Sequence, residues 1–152
     1  MTDRSAFTDD EWAALTEAPL RITLALVAVG EHGPISVLKE TAASARATAR
    51  PTERGPADDL IAQIARAAES REARHDVKAH LGRQPQEVVT SALADLEPAA
   101  SALGKLSAEE SAEVRAWFLD IAQAVAAAAK SVTPQEQDVL TKLQALFGAP
   151  PA

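Results

Sequence analysis

The chain predicts an all-α fold, a compact bundle of five to six helices with no sheet. Three observations carry that expectation. Alanine, the strongest helix former, makes up roughly a quarter of the 152 residues. Tyr is absent, and Phe, Trp and Tyr together account for only 3%, so the aromatic residues that strands favour are scarce. Apolar residues recur at three- and four-residue spacing, and no stretch alternates at period two.

The elements follow in order. Thr8 and Glu11 form a capping box, with Asp9 and Asp10 at the positive end of the helix dipole and Phe7 and Trp12 set to staple across the cap. Pro19 lacks the N–H that would bond four residues back, so it is expected to kink or split this first helix. Leu20 to Val29 is apolar nearly all round and is expected to be buried on most sides. Gly30, Gly33 and Pro34 end it.

Ser36 to Arg50 reads as a second helix with a small-residue face, and Pro51 to Pro56 as a loop. From Ala57, the positions Leu60, Ile61, Ile64, Ala65 and Ala68 trace a third helix toward Leu81, with a possible break near Ser70 and a terminus at Gly82. Pro85 opens a fourth helix at its first position, where a missing N–H costs nothing. Val88, Val89, Ala92, Leu93 and Leu96 form its stripe. Pro98 is expected to end or bend it, with a short helical piece reaching Leu106.

Ser107 and Glu110 form a second capping box. The fifth helix then carries Val114, Trp117, Phe118, Ile121, Ala122 and Val125 toward Ala129. Thr133, Pro134 and Glu136 repeat the start signal. Val139, Leu140, Leu143, Leu146 and Phe147 are the apolar face of the last helix, which Gly148 stops. Short connections favour antiparallel neighbours in one domain over residues 1–152, with 1–6 and 149–152 as loose termini. Trp12 and Trp117 lie on apolar stripes and belong in the core.

Charge narrows the function classes. The formal net charge is −7 and the isoelectric point about 4.9, which disfavours nucleic acid as a partner. Bases outnumber acids, nine to seven, only between Lys39 and Arg83. There is no cysteine, which excludes disulfides, thiol catalysis and Cys-based metal sites. The N-terminus lacks a secretory pattern, and Leu20 to Val29 is about half of what a membrane span needs. The expectation is a cytoplasmic protein with no membrane span.

No nucleotide, nucleophile or metal motif is present. Glu72 and His75 form a single E-x-x-H unit, where di-iron bundles need two and further glutamates. His75 and His80 fall on different helix faces, and His32 sits in a Gly-flanked turn. Arg46, Arg50 and Arg54 recur every four residues and are the candidate site for an anion or small ligand. Leu20, Leu24 and Val27, with Leu143 and Phe147 of the last helix, are the candidate self-association surface. These readings point to a non-enzymatic module acting on a protein partner or a second copy, without cofactor or metal.

Two junctions resemble each other. Ala25 to Lys39 reads A-L-V-A-V-G-E-H-G-P-I-S-V-L-K, and Ile121 to Glu136 reads I-A-Q-A-V-A-A-A-A-K-S-V-T-P-Q-E. Both resemble the repeated junction of TerB-like tellurite-resistance proteins: an apolar helix, then A-D-G, a capping Ser or Thr, then Glu. The stretch from Val132 to Gly148 is the most similar, and the resemblance covers about a quarter of the chain. It implies an all-helical, stress-linked protein whose junction acids hold a metal. Here the aspartate is replaced by His32 and Ala129, the glycine is kept as Gly33 but replaced by Lys130, and the glutamate is kept as Glu136 but replaced by Lys39. A hard cation needs several oxygen ligands, so these replacements leave at most a degenerate metal binder. The chain also resembles small, Ala-rich bacterial proteins of unknown function in general composition.

Overall fold

The computed structural model describes residues 3–29, 57–74, 84–128 and 134–148. Those residues form five α-helices and no strand: α1 (Asp9–Val29), α2 (Asp58–Arg74), α3 (Pro85–Ala102), α4 (Ala108–Ala128) and α5 (Pro134–Phe147). A 3₁₀ turn precedes α1 at Arg4–Ala6, and another at Leu103–Lys105 links α3 to α4. The expected all-α packing is therefore present. The predicted helix over 36–50 and the Gly82 terminus lie outside the described residues.

The start of α1 shows how local chemistry sets an element. The Thr8 N–H donates to Glu11 Oε1 at 2.9 Å, and the Glu11 N–H donates to Thr8 Oγ1 at 3.2 Å. Each residue thus satisfies a backbone donor of the other. Phe7 and Trp12 meet across the cap with ring centroids 6.2 Å apart. Asp3 accepts from the Ser5 N–H at 2.8 Å and Arg4 pairs with Asp9 at 2.6 Å, which winds residues 3–6 into a turn.

Neither interior proline ends or splits its helix. α1 runs unbroken through Pro19, and α3 runs through Pro98 to Ala102. A proline costs a helix one hydrogen bond and a clash with the preceding turn, about 3 kcal/mol. Packing offsets that cost in α1, where Pro19 is buried between Ala18 and the buried run Ile22 to Leu26. Pro98 is exposed, as is Ala94, whose carbonyl it leaves without its helical donor; water can meet that group. α2 is likewise continuous through Ser70 to Arg74.

α1 is the central element. It packs most extensively against α3 and also against α2, α4 and α5. Leu15, Ala18, Ile22, Ala25 and Leu26 are fully buried along it. Small residues on both partners, Ala18 and Ala25 on α1 with Ala92 and Ala99 on α3, let the two backbones approach. Arg21 ties the rim of this pair, donating to Asp95 at 2.7 Å and Glu17 at 3.0 Å. α2 docks by its first turn, where the Ala57 N–H donates to Glu113 Oε2 of α4 at 3.1 Å. Trp12 and Trp117 are both core residues. No helix among the described residues is long and apolar enough to cross a membrane.

Candidate functional site

α4 has two faces of different kinds. Val114, Trp117, Phe118, Ile121, Ala122 and Val125 are buried in the core. Behind the helix, Phe118 stacks between Trp117 (5.4 Å) and Phe147 of α5 (5.2 Å, edge-on). The Trp117 Nε1–H is buried without a hydrogen-bond partner, a cost of about 1–3 kcal/mol that the surrounding apolar burial must exceed.

The opposite face is built of small side chains. Ala108, Ala112, Ala116, Gln123 and Ala127 are exposed, with Leu119 half-buried among them. Their spacing of four, four, three, four and four keeps them in one line along the helix. Beside this line lies a cleft of about 270 Å³, formed between α4 and the end of α5. Ser111, Arg115, Leu119 and Phe147 line it together with the three N-terminal alanines of the stripe.

Arg115 is the single charged group in that lining. Its Nε donates to Ser111 Oγ at 3.0 Å, Nη1 to the Leu146 carbonyl at 3.3 Å, and Nη2 to the Ala100 carbonyl at 3.4 Å. Leu146 and Ala100 lie in the last turns of α5 and α3. Their carbonyls have no acceptor role inside those helices, and the negative ends of two helix dipoles favour a cation there. A guanidinium carries five N–H donors, so two remain after these three bonds. No carboxylate pairs with Arg115 among the described residues. On the other flank of the stripe stands Asp120, exposed and without a cation partner among the described residues. Partial burial raises its carboxyl above the usual aspartate value.

The residues expected at functional positions fare differently. Leu24 is 7% exposed, and Leu143 and Phe147 are fully buried. This corrects the expected self-association surface: the core already uses these side chains, and of the three only Phe147 borders the cleft beside α4. Leu20 is half-buried. Val27 lies on α1 with its side chain outside the described residues. Arg46, Arg50, Arg54, His32, His75 and His80 lie outside the described residues, as does the side chain of Glu72. Of the junction residues, Glu136 is fully buried in the first turn of α5, while Gly33, Lys39, Ala129 and Lys130 lie outside. Among the described residues, no group of three or more His, Asp or Glu is placed to hold a metal ion.

The alanine stripe and Arg115 were not singled out from sequence. Ala108, Ala112 and Ala116 do show a four-residue repeat, but alanine is common throughout the chain. Only the placement of the core on the other side of α4 marks this face as open. Comparison with known protein families, curated proteins and solved structures finds no match.

Proposed function

We propose that this chain is a non-enzymatic, cytoplasmic protein-interaction module that accepts a helix of its partner along the outer face of α4. The observation that carries the reading is the line of exposed Ala108, Ala112 and Ala116 over an apolar cleft whose one charge, Arg115, keeps two donors in reserve. Small side chains let a second helix approach closely, so that dispersion contacts accumulate along its length. The cleft favours an apolar side chain, and the guanidinium favours a carboxylate on the same partner helix. The partner is therefore an amphipathic helix with an apolar stripe and an acidic flank.

A photo-crosslinking side chain introduced in place of Ala112, in the cells that make the protein, tests this. The expected result is one dominant adduct whose crosslinked peptide is helical and amphipathic. The same probe in place of Ala94, exposed on α3, gives no adduct. Ala116→Glu abolishes the Ala112 adduct while leaving the chain folded by circular dichroism, with stability within about 0.5 kcal/mol, as for other surface changes. Equal adducts at both positions, or none at Ala112, overturn the reading.

A further inference from the structure

The helix that fills this face can be identified from the face itself. Along α4, Ala112, Ala116, Leu119 and Gln123 alternate four and three apart, which is the seam of a heptad repeat with Ala116 and Gln123 at a and Ala112 and Leu119 at d. The b, c and f positions of the same repeat include Trp117, Phe118 and Ile121, which are buried in the chain's own core. One helix thus serves two packings on opposite sides. Arg115 and Asp120 take the g and e positions that flank the seam.

Those two charges are five residues apart, about 140° around the helix, so they cannot meet within one chain. In a parallel pair of helices, a g side chain reaches the e side chain five residues later on the other helix. In an antiparallel pair, g faces g and e faces e, so Arg115 has no route to the Asp120 of the other helix. Resting on the helix-docking reading above, we propose that the occupant is α4 of a second copy, running parallel about a two-fold axis, with Arg115 of each chain paired to the partner's Asp120.

Two features agree with that register. Gln123 at an a position faces the partner's Gln123 across the axis, and a polar residue at a single a position specifies register in parallel coiled coils. Asp120 is already partly desolvated with no cation partner among the described residues, so a guanidinium across the interface stabilises its charged form. The seam spans two heptads and is short. The dimer is therefore weak, as befits a small interface.

The chain has no cysteine, which allows single cysteines to report register. Sedimentation equilibrium on the purified chain is expected to show a reversible dimer. Under mild oxidation, Ala112→Cys is expected to crosslink to itself, because d faces d in the parallel pair. Asp120→Arg raises Kd at least about tenfold through Arg115–Arg repulsion, and Asp120→Asn, a gentler change, raises it less. A chain that stays monomeric at about 1 mM overturns the proposal. So does an Ala112→Cys chain that fails to crosslink while a mixture of Ala112→Cys and Gln123→Cys chains does, since d faces a only in an antiparallel pair. If the in-cell adduct at position 112 maps to a different protein, the second copy is overturned and the helix-docking reading stands. If that adduct is absent, both fall.

Discussion

α1 and α4 are both 21 residues long and similarly apolar along their length, yet they do opposite work. α1 packs against four helices and spends Leu15, Ile22, Leu24 and Leu26 on the core. α4 commits one face to the same core and leaves the other as a line of alanines beside a cleft. The contrast shows that strong apolarity marks where a chain folds around itself. The face of α4 on which a partner helix is proposed to dock instead carries small side chains flanked by Arg115 and Asp120. Leu24 illustrates the first case and Arg115 the second.

The largest expected effect lies on the enclosed helix. Leu26→Ala should lower stability by about 2–5 kcal/mol, measured by urea denaturation, because a fully buried leucine leaves a cavity that its neighbours fill only partly. A loss below about 1 kcal/mol would mean that α1 is not the centre of the fold, and the contrast with α4 would collapse.

A middle-sized effect sits at the start of α1. Thr8→Ala should cost about 1 kcal/mol in the same assay, since it removes the acceptor for the Glu11 N–H. Exposed Ala116→Glu on α4 should cost less than that, so the ranking of these three variants measures how differently the two helices are used.

The smallest effect is a titration. Lys105 at 2.5 Å and the Thr8 N–H hold the Glu11 carboxyl below its ordinary value of 4.5. A carboxyl lowered by folding contributes stability above its unfolded value, and the contribution is lost as pH falls through the folded one. Carbon NMR of Glu11 should therefore show a low midpoint in the wild-type chain. In Lys105→Met the midpoint should move up toward 4.5, with only the Thr8 contact left to hold it down. An unmoved midpoint would show that Lys105, which lies in the turn between α3 and α4, does not reach the start of α1.

The helix starts at Thr8 and Ser107 were legible in the sequence because capping is local, decided by a side chain and a backbone donor three residues apart; the start at Pro85 is local in another way, since its missing N–H suits the first helical position and Gln84 before it makes no side-chain cap bond. In the second of these boxes, Ser107 Oγ accepts from the Glu110 N–H at 3.2 Å. The stop at Gly148 is local too. Its N–H donates to the Gln144 carbonyl at 2.7 Å, and an added Cβ would collide with that same carbonyl. The buried stripes of α3, α4 and α5 were legible for a related reason, since periodicity is a property of one helix at a time. The prolines were not. Whether Pro19 breaks a helix depends on how much packing lies on either side of it, and that is a sum over residues distant in the chain.

The site was less legible still. The sequence by itself determined that this chain is helical, where most of its helices begin, and which side of each is apolar, because all three are set by neighbours within a few residues. Only the tertiary structure decided that Leu24, Leu143 and Phe147 are buried within this chain rather than left for a second copy, that Arg115 bridges the ends of α3 and α5, and that the alanine face of α4 is left open. Those outcomes depend on which helix lies against which. That choice is made by burial summed over the whole chain, and no window of sequence contains it.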